Sequence, residues 1–186
     1  MNIFKLFSTP ILESLNFLSN DECKKLIKLI KKDKPKKHNL LTNGLSSYSL
    51  DCFLSKNKQT NIKNKLLKTS EIYANNIGYK IRKKIDNSWF NIEKEGSNVM
   101  KHCHPLSILS GVLYLNADNK TPCLCFYNPN YYSLHNVSHN NSSEYVSEGV
   151  RFYPKIGSLY MFPSWLIHGT EVNRMKEKIV LSFNII

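Results

Sequence analysis

The chain has no apolar run approaching the roughly eighteen residues that a membrane-spanning helix needs. Near its start one early lysine precedes a few apolar residues, and Pro10 and Glu13 interrupt them before a long apolar core forms. We therefore read no signal peptide and expect a soluble, cytoplasmic protein. A disulfide framework is missing too: five cysteines cannot all pair within one chain, and most lie inside apolar stretches, as reduced buried thiols do. Cys123 and Cys125 form a C-x-C pair, but no second C-x-C or C-x-x-C accompanies them to complete a zinc site. The sequence shows no internal repeat and no second hydrophobic core. Acidic residues are scarce, 14 against 26 Lys and Arg, giving a net charge of +12. That balance invites a nucleic-acid reading. Yet Lys dominates over Arg and travels with abundant Asn and Ile, the texture of an AT-rich genome. Specific nucleic-acid surfaces lean on Arg forks and stacking aromatics. Nucleic acid is therefore not the favoured partner.

What is present suits one domain over residues 1–186, with a hydrophobic fraction of 41%. Residues 1–78 read as a helical support region. Ser19 and Glu22 make an S-x-x-E capping box, after which Cys23, Leu26, Ile27 and Ile30 recur at helical spacing. The lysines at 24, 25, 28, 31, 32, 34, 36 and 37 read as its solvated face and frayed end, closed by Pro35. A second helix is expected over 60–77, with Ile62, Leu66, Tyr73 and Ile77 on one stripe and Gly78 beyond its end. Residues 46–54 between them read as a strand. From residue 79 onward short strands are expected at 79–85, 88–93, 99–104, 109–116, 123–127, 159–162 and 179–185. The segment 128–149 is long, polar and without usable period, which marks it as an insertion or lid. The working architecture is mainly β, with N-terminal helices packed on a small barrel.

Three histidines stand out. In an extended strand residues i and i+2 share a face, with Cα atoms about 7 Å apart, so His102 and His104 can reach one ion. A third ligand from a distant strand would complete a facial set with open positions, and His168 follows an apolar strand where a barrel strand would end. H-x-H alone is a weak signal, and these residues by themselves leave metal binding open. His38, His135 and His139 lie in polar contexts and read as solvated loop residues. Cys103 alternates away from the pair and reads as a core thiol, and Trp165 as packing at the barrel mouth.

The surroundings add a resemblance. The stretches KHCHPLSILSGVLYLN, LCFYNP, GSLYMFPSWLIHGTEVN and KIVLSFN stand in the order strand, strand, strand with a late His, strand. This order is similar to that of the 2-oxoglutarate oxygenases. More narrowly, it resembles the short 2-oxoglutarate/Fe(II) oxygenases frequent in bacterial and phage genomes, related to prolyl hydroxylase-like enzymes. An HxHPxSxLSGVYYL-like block matches His102 to Leu115, an FPSWLxH block matches Phe162 to His168, and a closing SFN matches Ser182 to Asn184. The opening LFSTPIL, and Trp89-Phe90-Asn91 before Gly96, also resemble that family.

The resemblance implies a double-stranded β-helix (jelly-roll, cupin-like) core over 79–186, binding Fe(II), 2-oxoglutarate and O2. It implies hydroxylation of a C–H bond with release of succinate and CO2. His102 matches the first metal-binding histidine and His168 the distal one. His104 stands where the superfamily usually has Asp or Glu. Either it is a third imidazole ligand, or it lies beside the metal while water or another group completes the shell. Three neutral imidazoles would leave the ion its full charge, for the 2-oxoglutarate dianion to neutralise. Imidazole also suits zinc and copper. The co-substrate's distal carboxylate is usually held by an Arg; here Lys178 fits that position, as a point charge without the planar fork. Arg174, in an expected turn, is the alternative. Tyr114 resembles a tyrosine that hydrogen-bonds the same carboxylate, or is simply a barrel-wall aromatic, and Ser182 shares a strand face with Lys178. The prime substrate is left as a protein side chain, a metabolite or a nucleic acid, with the protein preferred by analogy. The rival class is a non-catalytic β-helix protein that binds metal or a partner, such as a phage structural component.

Overall fold

The computed structural model describes residues 1–2, 8–130 and 147–186. The chain begins with a short strand, β1 (Leu12–Ser14), and then the first helix, α1 (Asn20–Ile30). The capping box forms as its residue types require: Ser19 Oγ accepts the Glu22 N–H, and the Glu22 carboxylate accepts the Ser19 N–H at 2.8 Å. Cys23, Leu26 and Ile30 turn inward, while the eight lysines from 24 to 37 are all exposed. β2 (Gly44–Ser46), the one-turn α2 (Phe53–Lys56) and α3 (Thr60–Asn76) follow. On α3, Ile62, Leu66, Ser70, Tyr73 and Ala74 form the buried stripe; fully burying a side chain such as Leu66 is worth roughly 1.5–3 kcal/mol.

Seven strands come next: β3 (Ile85–Lys94), β4 (Leu109–Asn116), β5 (Leu124–Tyr127), β6 (Gly149–Phe152), β7 (Leu159–Pro163), β8 (His168–Thr170) and β9 (Glu177–Ile185). With β1 and β2 they make two antiparallel sheets, one of order β1-β7-β4-β9-β3-β2 and one of order β6-β5-β8. The N-terminal region therefore supplies both edges of the larger sheet as well as the helices that cover it.

The larger sheet is buried on both faces. Its outer face carries Phe90, Leu113, Leu181 and Phe183 into one core with Leu26 and Ile30 of α1 and Leu66 and Tyr73 of α3. Its inner face joins Val112, Tyr114 and Val180 to Leu124 and Phe126 of the smaller sheet in a second core. Double burial explains why β4 and β9 read as near-continuous apolar runs instead of alternating ones. Gly111 belongs to the same packing: a Cβ there would lie 2.3 Å from the Phe183 ring on the neighbouring strand.

Several expectations are corrected. Residues 46–54 hold the end of β2 and the start of α2, separated by turns, and most of 79–85 is irregular. Residues 99–104 are not a strand; isolated bridges tie Val99 to Leu41 and His102 to His168. Cys103 is accordingly exposed and no core thiol. Most of the expected lid at 128–149, with His135 and His139, lies outside the described residues.

Candidate metal centre and co-substrate cavity

The two sheets enclose a cavity of about 520 Å³, part of it open to solvent. The larger sheet lines it through a regular grid. Alternate residues of three adjacent strands point inward: Trp89, Asn91 and Glu93 from β3, Lys178, Val180 and Ser182 from β9, and Ser110, Val112 and Tyr114 from β4. Register places Glu93 opposite Lys178 and Trp89 opposite Ser182.

His102, His104 and His168 gather at this cavity, each offering a ring nitrogen within 4.8 Å of the others. Backbone pairing brings them together. His102 and His168 exchange both backbone hydrogen bonds at 2.9 Å, and the His104 N–H donates to the Ser164 carbonyl at 2.8 Å. The close approach of 99–102 to β8 depends on Gly169, where a Cβ would lie 2.8 Å from the Val99 carbonyl oxygen. Ser164 is fixed in turn: Ser110 Oγ lies 2.8 Å from Ser164 Oγ and donates to Asn184 Oδ1 at 2.8 Å. This buried chain joins the LSG, FPS and SFN blocks that the sequence displayed separately.

The ring nitrogens are sorted by their other contacts. His102 Nδ1 lies 2.8 Å from the Met100 carbonyl and His168 Nδ1 lies 2.9 Å from that of Leu166. A carbonyl only accepts, so each Nδ1 carries the proton and each Nε2 keeps its lone pair for a ligand. His104 has no such carbonyl among the described residues; its ring packs 5.6 Å from Trp89. Burial holds all three imidazoles neutral: first burial and then His102 lower His168 to about 3 and His104 to about 4, and burial lowers His102 despite its carbonyl. Neutral imidazoles with free Nε2 lone pairs fit a divalent metal of the iron, zinc or copper type.

Lys178 lines the cavity and is 1% exposed, while Arg174 is exposed between β8 and β9 and does not line it. Lys178 Nζ sits 2.9 Å from Glu93 Oε2, a buried pair that the sequence reading missed. Period-two counting from Trp89 and Asn91 would have put Glu93 on the inward face. Tyr114 is buried with its ring centre 5.9 Å from Lys178 Nζ. Burial and then Glu93 push its phenol well above the usual range, so it stays a neutral hydroxyl. Ser182, half-buried, lines the same wall. Trp165 is 46% exposed and donates to Tyr79 Oη at 3.1 Å. Among the described residues no helix is long and apolar enough to cross a membrane.

Solved structures share this architecture. A prolyl-4-hydroxylase from Pseudomonas putida is 11% identical, with 97% of this chain and 94% of that one covered and a TM-score of 0.59. A prolyl hydroxylase from Trichoplax adhaerens, in complex with a hypoxia inducible factor peptide fragment, is 12% identical over 97% and 85%, with a TM-score of 0.63. HygX from Streptomyces hygroscopicus, with nickel, 2-oxoglutarate and hygromycin B bound, is 9% identical over 95% and 82%, with a TM-score of 0.62. At such identities the likeness shows the fold, a double-stranded β-helix with N-terminal helices. No curated protein matches the chain. The family model described as "Putative 2OG-Fe(II) oxygenase" matches residues 87–184, which span β3 to β9 and all three histidines. The chain is a member of this 2-oxoglutarate- and Fe(II)-dependent oxygenase family.

Proposed function

We propose that His102, His104 and His168 hold Fe(II) as three imidazole ligands, and that Lys178 receives the distal carboxylate of 2-oxoglutarate. In this reading the enzyme hydroxylates a C–H bond of its prime substrate. The observation that carries it is the convergence of three ring nitrogens within 4.8 Å beside a cavity whose wall holds one buried lysine. Bound iron would supply O2 activation, coupled to conversion of 2-oxoglutarate into succinate and CO2.

The chain's own residues orient and enclose. The carbonyls of Met100 and Leu166 keep Nε2 of His102 and His168 aimed at a shared point. Lys178 and the hydroxyls of Tyr114 and Ser182 stand on one wall, where a dicarboxylate can lie against them. Val112, Val180, Leu124 and Phe162 give the cavity its apolar lining beside these groups. At the mouth, Trp89 packs on His104 and Tyr48 packs edge-on against Trp89 with ring centres 5.0 Å apart. Tyr48 is 44% exposed, so the aromatic run leads from the metal ligands to solvent. Such a shelf suits a compact apolar ring or side chain and supports a protein substrate, in line with the peptide fragment held by the Trichoplax enzyme.

Succinate formation from 2-oxoglutarate, dependent on added Fe(II), tests the reading. Turnover that survives His102→Ala together with His168→Ala would remove the metal assignment. No turnover and no co-substrate binding by the wild type would return the non-catalytic reading.

A further inference from the structure

The Glu93–Lys178 pair raises a problem of charge. Its side chains are 0% and 1% exposed, and the Glu93 carboxylate makes an ion contact with Lys178 but no directed hydrogen bond among the described residues. Asn91 Oδ1, on the same cavity wall, is also buried without a partner among the described residues. The wall thus offers one cation already neutralised and unfilled acceptor atoms beside it. The distal carboxylate of 2-oxoglutarate brings only more acceptors and a second negative charge. Two carboxylates confined with one cation in a buried site do not both remain ionised; they share a proton.

We propose that 2-oxoglutarate enters together with one proton, held between Glu93 and the distal carboxylate, which makes Glu93 a co-substrate-binding residue. The proposal rests on the reading of Lys178 as the distal anchor. The proton comes from solvent and lies between one oxygen of each carboxyl group, while Lys178 keeps all its own. Before binding the wall holds one positive and one negative charge. Afterwards it holds Lys178 and a carboxyl–carboxylate pair with a single negative charge, so the buried wall stays neutral.

Among the described residues, the groups facing Glu93 offer no other source or sink. Across the sheet on β2 stands Gly44, without a side chain. On β9 stands Lys178, and on β4 stands the neutral phenol of Tyr114. The Asn173 amide donates at 3.2 Å to the Glu93 backbone carbonyl, not to its carboxylate. The three neutral imidazoles are the other titratable side chains lining the cavity among the described residues.

The test is calorimetric titration of 2-oxoglutarate into Mn(II)-saturated protein under argon, repeated in buffers of different protonation enthalpy. Saturating the metal first keeps proton release from its ligands out of the measurement. Expected is uptake of about one proton per co-substrate, with affinity falling about tenfold per pH unit on the mildly alkaline side. 2-Oxobutyrate, which lacks the distal carboxylate, should bind without uptake, and this control needs no variant. Glu93→Gln should bring uptake on 2-oxoglutarate binding close to zero. It should also tighten that binding at mildly alkaline pH by about tenfold or more, because its amide donates where Glu93 needs a proton. Wild-type binding without uptake, or uptake equal for the two 2-oxo acids, or full uptake in Glu93→Gln overturns the proposal while leaving Lys178 as the anchor. Failure of the wild type to bind 2-oxoglutarate at all overturns the anchor reading and this proposal together.

Discussion

His102 and His104 reach the cavity from irregular backbone and His168 from a three-residue strand, whereas Glu93, Tyr114 and Lys178 stand on strands of 10, 8 and 9 residues inside the larger sheet. The imidazoles are uncharged and partly open to solvent, apart from buried His168; Glu93 and Lys178 are charged and fully enclosed. A ligand that is neutral before metal arrives leaves no uncompensated charge when it is removed. A member of a buried ion pair does. Damage to the metal end should therefore cost binding and little stability, and loss of Lys178 from the wall should cost both.

The largest effect is expected at the wall. Lys178→Ala leaves Glu93 buried and alone, which should destabilise the fold by about 3–5 kcal/mol and weaken 2-oxoglutarate binding at least about a hundredfold. Urea unfolding and calorimetry measure the two. Removing both charges, as Lys178→Met with Glu93→Leu, should restore most of the stability and none of the binding. If the double variant is as unstable as Lys178→Ala, the contrast between the two regions fails.

Next comes the metal end. His168→Ala or His102→Ala should lower Mn(II) affinity by roughly a hundredfold or more, with an unfolding midpoint near that of the apo wild type. His104→Asp should retain binding by forming a two-histidine, one-carboxylate set, and His104→Ala should not. Unchanged affinity in His104→Ala would make that imidazole a neighbour of the ion only.

A smaller effect tests what joins the regions. Ser110→Ala breaks the Ser164–Ser110–Asn184 chain and should cost about 1–3 kcal/mol, with a partial loss of metal affinity as the Ser164 carbonyl releases His104. Loss of stability with metal affinity intact would show that the chain supports the sheet alone. Smallest, Ser19→Ala should cost about 1 kcal/mol through the α1 cap and leave both sites untouched.

The same division governs what could be read from the sequence. β4, β5, β7 and β9 were legible because their apolar residues name strands buried on both faces, and α1 because its capping box is a local code. β1, β2, β6 and β8 have three or four residues each, too few for any period to show. The three histidines were found as a set, but on the wrong backbone. Strand geometry predicted a continuous strand at 99–104, whereas a single bridge holds His102 and one backbone hydrogen bond to Ser164 holds His104, and so Cys103 turned out exposed. Glu93 escaped because a glutamate in a strand ordinarily points to solvent, and its partner lies 85 positions away in sequence.

The two edges of the larger sheet have a further consequence. An edge strand presents unpaired N–H and C=O groups that another chain can extend into an aggregate. Here both edges are three-residue strands, too short to template much pairing. At one of them Glu13 places a carboxylate, accepting from Tyr160 Oη at 2.7 Å. Beyond the other, Lys36 closes a backbone bridge with Ser46, inside a stretch where Lys34, Lys36 and Lys37 are all exposed. Charged side chains beside an edge strand are of the kind that disfavours its extension by another chain. Part of the positive charge that invited a nucleic-acid reading thus stands beside a sheet edge, where like charges disfavour pairing with a second copy.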